Sequence, residues 1–442
     1  MAREMKDSGV EWAKEIPEHW NLSRIKFVIE TRKGGAWGDE PKNTNVSCIC
    51  LRIADFDYNK LKFSIKNENE YTYRGYRAKT IKQLELKQGD LLIEKSGGGE
   101  KTPVGRVVLF DNSFKALFAN FMDKLSVNKD IIVPKFLNYW FSSFYQSRIN
   151  TLYIKQTIGI QNLDLTSMLA KEKVFYPSVN EQQNIANYLD NKCSEIDSLT
   201  ADIEKQISLL EDYKKSIITE AVTKGLAPNV EMKDSGIEWI GAIPSQWKVE
   251  KIKFHLYRND IKNPGDMEVL SLYREYGVVP KDSRDDNYNV TSLDVTKYKY
   301  VKPGNLVINK MKAWQGSLAV SEYEGIVSPA YYVYYFSDSS LVKKYFHYLV
   351  RACYKDEFRR LSGGIREGQW DLPSEAFDNT LMIIPSMKEQ KEIVSYLDKK
   401  CSEIDSLISE KKKQLEKLSS YKQSMIYEYV TGKKEVPTQE IA

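Results

Sequence analysis

Histidine and cysteine are scarce in this chain of 442 residues, which holds only three histidines and five cysteines. His19, His255 and His347 are too scattered along the chain to predict a metal site or a catalytic dyad. The cysteines are odd in number and form no Cys-x-x-Cys pair, a pattern that indicates neither a disulfide framework nor a zinc site. We therefore interpret all five cysteines as small core residues.

Long apolar runs, nucleotide-binding motifs and a strong net charge are absent as well. No apolar run approaches the length that crosses a bilayer, and no signal peptide is recognisable, so we expect a cytoplasmic protein without membrane contact. No Gly-x-Gly-x-x-Gly follows a predicted strand, and the glycine-rich loop 96–102 lacks the Gly-Lys-Ser/Thr ending of a phosphate loop. The formal net charge is only +4, so a DNA-binding surface would have to be local or shared with a partner.

The sequence is distinguished instead by a tandem duplication. Residues 5–30 and 232–257 are identical at 13 of 26 aligned positions. A second pair, 180–199 and 388–407, ends in the unchanged string CSEIDSL. The long stretches between these blocks resemble each other only faintly. A repeat of about two hundred residues indicates a doubled domain and not a solenoid. A constant frame around divergent bodies suggests that the frame docks a common partner, while the bodies recognise different things.

Each copy contains a predicted long amphipathic helix. Apolar residues recur every three or four positions, which is typical of a helix of about forty residues with coiled-coil character. We expect Asn180 or Ser386 to cap these helices, and Gly225 and Gly432 to end them. Two such helices would form a rod of roughly 60 Å if they packed antiparallel about an approximate two-fold axis. The alternative is that each helix packs only on its own domain. The stripe residues are Ile185, Leu189, Cys193, Ile196, Leu199, Ile203, Ile207, Leu210, Lys214 and Ile217, then Ile393, Leu397, Cys401, Ile404, Leu407, Lys411, Leu415, Leu418 and Met425.

The two divergent bodies have the sequence pattern of mixed α/β domains. Short segments rich in β-branched and aromatic residues predict strands, and the segments 135–149 and 341–358 predict helices. Each body has a Gly-Asp/Asn-Leu turn before a strand, at 89–91 and 304–306, so we predict one shared fold. The predicted segments are an opening with a first body (1–178), a long helix (179–225), a link with a second opening and body (226–386), and a second long helix (387–442).

These features, in this order, resemble the DNA-specificity subunit of type I restriction–modification enzymes. The SGxEWxxxIPxxW openings, the Glu-Gln helix starts at 181–182 and 389–390, and the YLD…CSEID…L helices carry the resemblance over nearly the whole chain. The second body adds MKAWQGS (311–317) and GIVSPAY (325–331), which look like segments of that family's target-recognition domains. The first body departs from this pattern, as expected if its target sequence differs.

The resemblance implies a division of labour. Two similar globular target-recognition domains of mixed α/β fold would be separated by two long antiparallel coiled-coil helices with internal pseudo-two-fold symmetry. Each domain would read one part of a split site in double-stranded DNA, and the helices would fix the gap. The chain would be non-catalytic and would bind no cofactor. Two methyltransferase subunits would bring S-adenosylmethionine and methylate adenine at N6, and motor–nuclease subunits would complete the restricting complex.

Candidate DNA-binding residues are the types that read base edges or stack, where they lie in or beside glycine-containing loops. For each, the alternative is a solvated surface charge or, for Trp314, a core residue. The candidates are Lys95, Lys101, Arg106, Lys155, Gln156 and Gln161 in the first body, and Lys310, Lys312, Trp314, Gln315, Arg366 and Gln369 in the second. We expect the repeated tryptophans to be packing anchors between each opening segment and a helix; they are Trp12, Trp20, Trp239 and Trp247.

Three other functions stay open on the sequence alone. The chain could be an orphan DNA-recognition protein, a coiled-coil scaffold that binds only protein, or an unrecognised nuclease. Binding to a split DNA sequence would exclude the scaffold. Metal-dependent cleavage by the isolated chain would support the nuclease, although no pair of acidic residues is spaced for two-metal chemistry.

Overall fold

The computed structural model divides into two compact units. Unit 1 comprises Met1–Glu204 and Lys412–Ala442, and unit 2 comprises Lys205–Lys411. Each unit therefore contains one opening segment, one body and part of each long helix. No helix among the described residues is long and apolar enough to span a membrane. The described residues are 3–42, 45–64, 66–157, 159–274, 277–283, 291, 294–337, 340–364 and 370–437.

Unit 1 is built on a six-stranded sheet in the order β4-β13-β9-β11-β7-β6, beside three-stranded sheets β12-β5-β8 and β10-β15-β14 and the pairs β1-β2 and β16-β3. Its strands are β1 (Met5–Asp7), β2 (Glu15–Pro17), β3 (Asn21–Arg24), β4 (Ile29–Gly34), β5 (Val46–Leu51), β6 (Phe56–Asp57), β7 (Lys62–Phe63), β8 (Tyr73–Tyr76), β9 (Asp90–Glu94), β10 (Ser96–Gly97), β11 (Val107–Phe110), β12 (Ala116–Phe118), β13 (Met122–Val127), β14 (Ile154–Thr157), β15 (Ile160–Leu163) and β16 (Lys173–Tyr176). Its helices are α1 (Ala78–Leu84), α2 (Pro134–Gln146), α3 (Leu165–Lys171) and the first part of α4 (Val179–Lys224).

Unit 2 is built on a four-stranded sheet in the order β20-β27-β24-β25, with the two-stranded pairs β17-β18, β19-β28, β21-β22 and β23-β26. Its strands are β17 (Met232–Asp234), β18 (Ala242–Pro244), β19 (Lys248–Lys251), β20 (Leu256–Arg258), β21 (Leu270–Tyr273), β22 (Gly277–Pro280), β23 (Lys299–Val301), β24 (Leu306–Asn309), β25 (Leu318–Val320), β26 (Gly325–Val327), β27 (Tyr331–Phe336) and β28 (Leu381–Ile384). Its helices are α5 (Lys343–Cys353), α6 (Lys355–Leu361), α7 (Ser374–Asn379) and the first part of α8 (Met387–Val430).

The two bodies share one core despite their divergent sequences. The antiparallel order β4-β13-β9-β11 in unit 1 is repeated as β20-β27-β24-β25 in unit 2. Unit 1 adds β7, which runs parallel to β11, and β6. The predicted mixed α/β class and shared fold are confirmed. The helical prediction over 341–358 is confirmed by α5 and α6, which are separated by Tyr354.

The repeated Gly-Asp/Asn turn sets the entry to the central strand of each body. Gly89 and Gly304 adopt the left-handed backbone, with φ of 95° and 86°, which favours glycine. The Asp90 carboxylate accepts a hydrogen bond from the Lys87 N–H at 2.8 Å, and the Asn305 side chain repeats this bond with its own third preceding residue. β9 then runs through the core with every residue buried.

Serines cap both long helices. The Ser178 Oγ accepts a hydrogen bond from the N–H three residues later at 3.3 Å, and the Ser386 Oγ does the same at 3.3 Å. The prediction of Ser386 is confirmed, whereas Asn180 is wrong: the Pro-Ser pair precedes both helices, so the equivalent of Ser386 is Ser178. Gly225 and Gly432 follow the helices with φ of 75° and 70°, as predicted.

The two long helices run antiparallel in each unit. In unit 1, Tyr188 of α4 packs on Tyr429 of α8 with ring centroids 4.6 Å apart. Asp197, nine residues after Tyr188 in α4, accepts a hydrogen bond at 2.5 Å from Lys422, which is seven residues before Tyr429 in α8. The residue numbers therefore rise in one helix as they fall in the other. Unit 2 repeats this ion pair between Lys214 and Asp405 at 2.6 Å. Both aspartates belong to the repeated string CSEIDSL. The predicted antiparallel pairing is confirmed.

The predicted apolar stripe is covered only in part. Its first four members in each helix are buried. Leu199 and Leu407, the next members in the two helices, are exposed. Tyr213 and Tyr421, which occupy equivalent positions nearby, are exposed as well. Ile217 and Met425, further along the same stripes, are buried again. Heptad spacing alone therefore predicts which face is apolar but not which of its residues are covered.

The repeated tryptophans fasten each opening segment to a helix start, as predicted. Trp20 is 1% exposed and its Nε1 donates a hydrogen bond to the Glu181 carboxylate at 3.2 Å. Trp247 and Glu389 repeat this bond at the same distance in unit 2. The other pair packs on aromatic rings of the bodies: the ring centroids are 5.5 Å apart for Trp12 with Trp140 of α2, and 5.8 Å apart for Trp239 with Tyr354 between α5 and α6.

One buried amide in each unit ties the helix start to the body. Gln182 is fully buried, its Oε1 accepts from the Val133 N–H at 2.8 Å, and its Nε2 donates to the carbonyls of Ile131 and Pro177 at 2.9 and 3.0 Å. Gln390 makes the same three bonds in unit 2. A buried polar group that loses its partner costs stability, so these bonds fix the geometry of the frame.

Replacing Gln182 with Leu should destabilise unit 1 strongly. The change leaves the Val133 N–H and two carbonyls buried without partners, which costs about 3 kcal/mol or more. We expect a clear fall in the thermal unfolding temperature of unit 1, measured by calorimetry. The neighbouring Gln183→Leu is the matched control, because Gln183 is exposed and bonds only Asn187 within the helix. Equal melting of both variants would contradict the role of the buried amide.

The end of the chain returns to its beginning within unit 1. The Arg3 guanidinium lies 3.1 Å from the Glu435 carboxylate and donates to the Gly432 carbonyl at 3.4 Å. Gly432 lies against Trp20, since a Cβ placed on it would be 3.0 Å from the ring. Gly225 lies in the same way against Trp247 in unit 2. The C-terminal end of each long helix therefore packs on an opening segment.

A circular permutant tests this closed frame. A short Gly/Ser linker from 437 to 3, with new termini in the exposed link 226–229, should fold and melt close to the parent, because no buried backbone is cut. Circular dichroism melting is the measurement. A permutant with new termini within β9 is the control that should fail. A misfolded link permutant would contradict the closed frame.

Candidate nucleic-acid interface

A small sheet gathers most of the first-body candidates. The hairpin of β14 and β15 pairs with β10, which carries the start of the glycine-rich loop. Lys155 faces Asn162 across the hairpin, and Asn162 faces Ser96 on the other side. In the next row Gln156 faces Gln161. The sheet therefore brings Lys155, Gln156 and Gln161 to the base of the loop.

Lys95 is held beside this sheet by a buried carboxylate. Its Nζ lies 2.7 Å from Asp123 Oδ1, while Asp123 Oδ2 accepts from the Arg32 Nε at 2.6 Å. The Lys95 carbonyl accepts from the Leu163 N–H at 2.8 Å, which joins it to β15. Two cations share one carboxylate, so the cluster keeps a local positive charge.

Arg106 is engaged inside unit 1. Its guanidinium donates two hydrogen bonds to the fully buried Glu94 carboxylate, at 2.8 and 2.7 Å, and lies 3.5 Å from the centroid of the Tyr58 ring. Burial alone would lower the pKa of Arg106, but the bonds to Glu94 raise it above its ordinary value. Burial, and then the charge of Glu94, raises the pKa of Tyr58. These contacts favour support of the loop over direct contact with a base.

Gln161 also supports the glycine-rich loop through a hydrogen bond. It is buried, and its Oε1 accepts from the Val104 N–H at 3.2 Å. Lys101, at the exposed tip of the loop, accepts from Arg148 through its carbonyl at 3.4 Å. Lys155 is 75% exposed and pairs with Asp164 at 2.9 Å, which helps to hold the pKa of that carboxyl at about 2. Gln156 is exposed on β14.

The second-body candidates follow β24, as Lys95 follows β9. Lys310 pairs with Asp371 at 2.7 Å, and its carbonyl accepts from the Leu372 N–H at 3.0 Å. Lys312 is exposed. The candidates Arg366 and Gln369 lie outside the described residues.

Trp314 is half-buried, so it is neither a full core residue nor fully exposed. Its Nε1 donates to the Met311 carbonyl at 3.1 Å, and its ring lies 5.8 Å from that of Trp370 and 5.8 Å from the Arg359 guanidinium. The neighbouring Gln315 is half-buried too; it accepts from Arg274 at 2.6 Å.

Sequence reasoning missed several polar residues of these surfaces. On the small sheet, the Ser96 hydroxyl donates a hydrogen bond to Asn162 at 2.7 Å. Arg32 lies beside this sheet because it donates to Asp123, the carboxylate that also pairs with Lys95. Asn162 could have been found, since it is an exposed neighbour of Gln161 in a short β segment. The equivalence of Lys95 and Lys310 was also readable, because each lies six residues after the glycine of its turn.

Comparison with known proteins identifies the family. A family model described as the type I restriction modification DNA specificity domain matches residues 17–209 and 251–417, which is most of both copies. The chain belongs to this family. It is 25% identical over 445 residues to the type I restriction enzyme MjaVIII specificity subunit of Methanocaldococcus jannaschii, covering 95% of this chain and 93% of that protein. It is 22% identical over 452 residues to the EcoKI specificity subunit of Escherichia coli, covering 95% and 90%.

Solved structures of the family share this fold. A chain from a study of complex assembly and conformational transition in a type I R-M system matches with a TM-score of 0.62 at 12% identity, covering 94% of this chain and 98% of that one. The HsdS subunit from Thermoanaerobacter tengcongensis matches with a TM-score of 0.51 at 13% identity and the same coverage. The repeated frame and the two α/β bodies are therefore the architecture of specificity subunits.

Replacing Gln161 with Ala should release the glycine-rich loop without unfolding unit 1. The change removes the acceptor for the Val104 N–H, so the segment around Lys101 should open more often and trypsin should cut there faster. Limited proteolysis followed by mass spectrometry is the measurement. Gln156→Ala, an exposed change on the adjacent strand, is the control. Equal cleavage in both variants would contradict the role of Gln161.

Proposed function

We propose that the chain is the non-catalytic specificity subunit of a type I restriction–modification complex, and that it reads a split site in double-stranded DNA with one body per unit. The main support is the four-stranded core that the two units share. In each unit the central strand of this core is followed by an equivalent lysine, and the polar surface beyond that lysine differs between the units. Equal cores with unequal surfaces suit two half-sites of different sequence. The family match over both copies supports the same function.

The proposed DNA contacts divide into three groups. Lys101, Lys155, Gln156, Lys312 and Gln315 are exposed or half-buried side chains that can reach a base edge or a phosphate. Lys95 and Lys310 place an ammonium group at equivalent positions, each paired with a carboxylate, and can contact a phosphate in exchange for that pair. Trp314 offers a stacking face. Arg106 and Gln161 stay DNA-binding predictions, although their internal bonds favour positioning of the loop, and Arg366 and Gln369 stay predictions from the sequence.

The proposed partners are two methyltransferase subunits, which bring S-adenosylmethionine for N6-adenine methylation, and motor–nuclease subunits. Support for a partner in two copies comes from the repeated exposed pairs on the long helices, Leu199 with Leu407 and Tyr213 with Tyr421. Surfaces that repeat within one chain suit a partner that binds twice. This chain would bind no cofactor, and a cytoplasmic location follows from the work of such a complex on DNA.

Methylome sequencing tests the proposal directly. A methylation-deficient host would express the chain with its cognate methyltransferase subunit, and a matched host would express the methyltransferase subunit alone. We expect one new split motif that carries N6-methyladenine. No new methylation from an assembled complex would contradict the proposal and favour an orphan or scaffold function.

The same assay tests the proposed ruler. Duplicating residues 200–203 in α4 together with 408–411 in α8 should widen the gap by about one to two base pairs and leave both half-sites unchanged, because four residues add about 6 Å of helix. Both insertions lie between the two repeated ion pairs, so each pair can persist. Duplication in α4 alone is the mismatched control. An unchanged gap in the double insertion would contradict the ruler.

A further inference from the structure

Two phenylalanines at equivalent positions of the opening segments point into solvent. Each ends a short 3₁₀ turn with the sequence Ile-Lys-Phe, over Ile25–Phe27 and Ile252–Phe254. The isoleucine of each turn is fully buried, whereas Phe27 is 61% exposed and Phe254 is 58% exposed. Both copies of the duplicated segment therefore place a large apolar side chain outside the core in the same way.

Folding explains most of the other identities between the opening segments. Asp7 and Asp234 each accept a hydrogen bond from the N–H of the glycine two residues later, at 2.8 and 3.0 Å. The serines that follow them cap the same turns, and one tryptophan of each segment, the proline and the isoleucines are buried. The other tryptophans, Trp12 and Trp239, are half-buried and 39% exposed respectively, but each packs on an aromatic ring of its body. Phe27 and Phe254 have no such role, because their side chains leave the core. Their retention in both copies suits a binding function.

A lysine lies close to each of these rings. The Lys26 Nζ lies 4.7 Å from the Phe27 ring centroid, and the Lys253 Nζ lies 5.9 Å from that of Phe254. Arg24 precedes the first turn and Lys251 precedes the second. An exposed aromatic ring beside a lysine complements an apolar pocket with a carboxylate at its rim.

A protein suits this patch better than the DNA backbone does. Sequence-independent DNA contacts go to phosphates and are made by cations and hydrogen-bond donors. The lysine of each turn could make such a contact, but a phenylalanine could not. A surface that repeats in the two units suits a binding partner that is present in two identical copies. The base sequences of two different half-sites are not identical, so they do not fit this requirement.

We propose that Phe27 and Phe254, each with its preceding lysine, are equivalent anchors for one partner protein bound in two copies. Each phenylalanine fills an apolar pocket of the partner, and carboxylates at the pocket rim face the lysine. The inference rests on the proposed function, which supplies the methyltransferase subunit as that partner.

Native mass spectrometry of the complex with the cognate methyltransferase subunit tests the anchors. The wild type should carry two copies, Phe27→Ala or Phe254→Ala one, and the double variant none at concentrations that saturate the wild type. Removing a central aromatic anchor weakens binding on the order of tenfold or more. Phe→Leu at each site should restore part of the affinity. Leu152→Ala is the control, since Leu152 is 74% exposed but has no counterpart in the repeated opening segments.

Two outcomes would overturn the inference. If the double variant still bound two copies of the methyltransferase subunit, the phenylalanines would not be anchors. Unchanged assembly together with weaker binding of duplex DNA would also contradict the proposal, because the patch would then be a nucleic-acid contact. Circular dichroism melting of each variant excludes misfolding, because both side chains lie outside the core. A wild-type chain that binds no methyltransferase subunit would instead count against the proposed function itself.

Discussion

The arrangement of each unit depends on one buried amide and the tryptophan beside it. Gln182 and Gln390 can be buried only because each finds three backbone partners, and those partners come from the body and from the segment before the helix. The adjacent glutamates receive Trp20 and Trp247 from the opening segments. Because unpaired buried groups are costly, helix start, opening segment and body must meet in one geometry. The duplication repeats this constraint in both units.

This fixed frame leaves the bodies free to change their surfaces. The equivalent lysines illustrate the point: Lys95 is balanced by Asp123 from β13, whereas Lys310 is balanced by Asp371 from the segment before α7. The cation keeps its place at the end of the central strand while its carboxylate comes from a different element. A surface can therefore diverge without loss of the core, and this freedom is what two readers of different half-sites require.

Patterns local in sequence predicted much of the fold. The duplication, the long helices, the strands, the glycine stops and the tryptophan anchors all follow from spacing or repetition. Contacts between residues distant in sequence could not be predicted in this way. β9 brings Glu94 beside Arg106, and the glycine-rich loop folds over the Gln161 amide; both residues stay DNA-binding predictions, but these internal bonds could not be foreseen. Leu199 belongs to the predicted stripe and is nevertheless exposed, because spacing gives the apolar face of a helix but not which of its residues are covered.

Internal ion pairs add to the effect of the modest net charge of +4, because they further limit the positive charge that the candidate lysines offer to DNA. Lys95, Lys155 and Lys310 each lie within 3 Å of a carboxylate, so much of their charge is neutralised before any ligand arrives. Contact with a phosphate would have to compete with those carboxylates, and affinity from these lysines alone would be small. Under the proposed function, specificity would then come from shape and hydrogen bonding at the loops, and further phosphate contacts would come from partners that close around the DNA. We therefore expect a weakly charged reader of this kind to bind DNA tightly only within its complex.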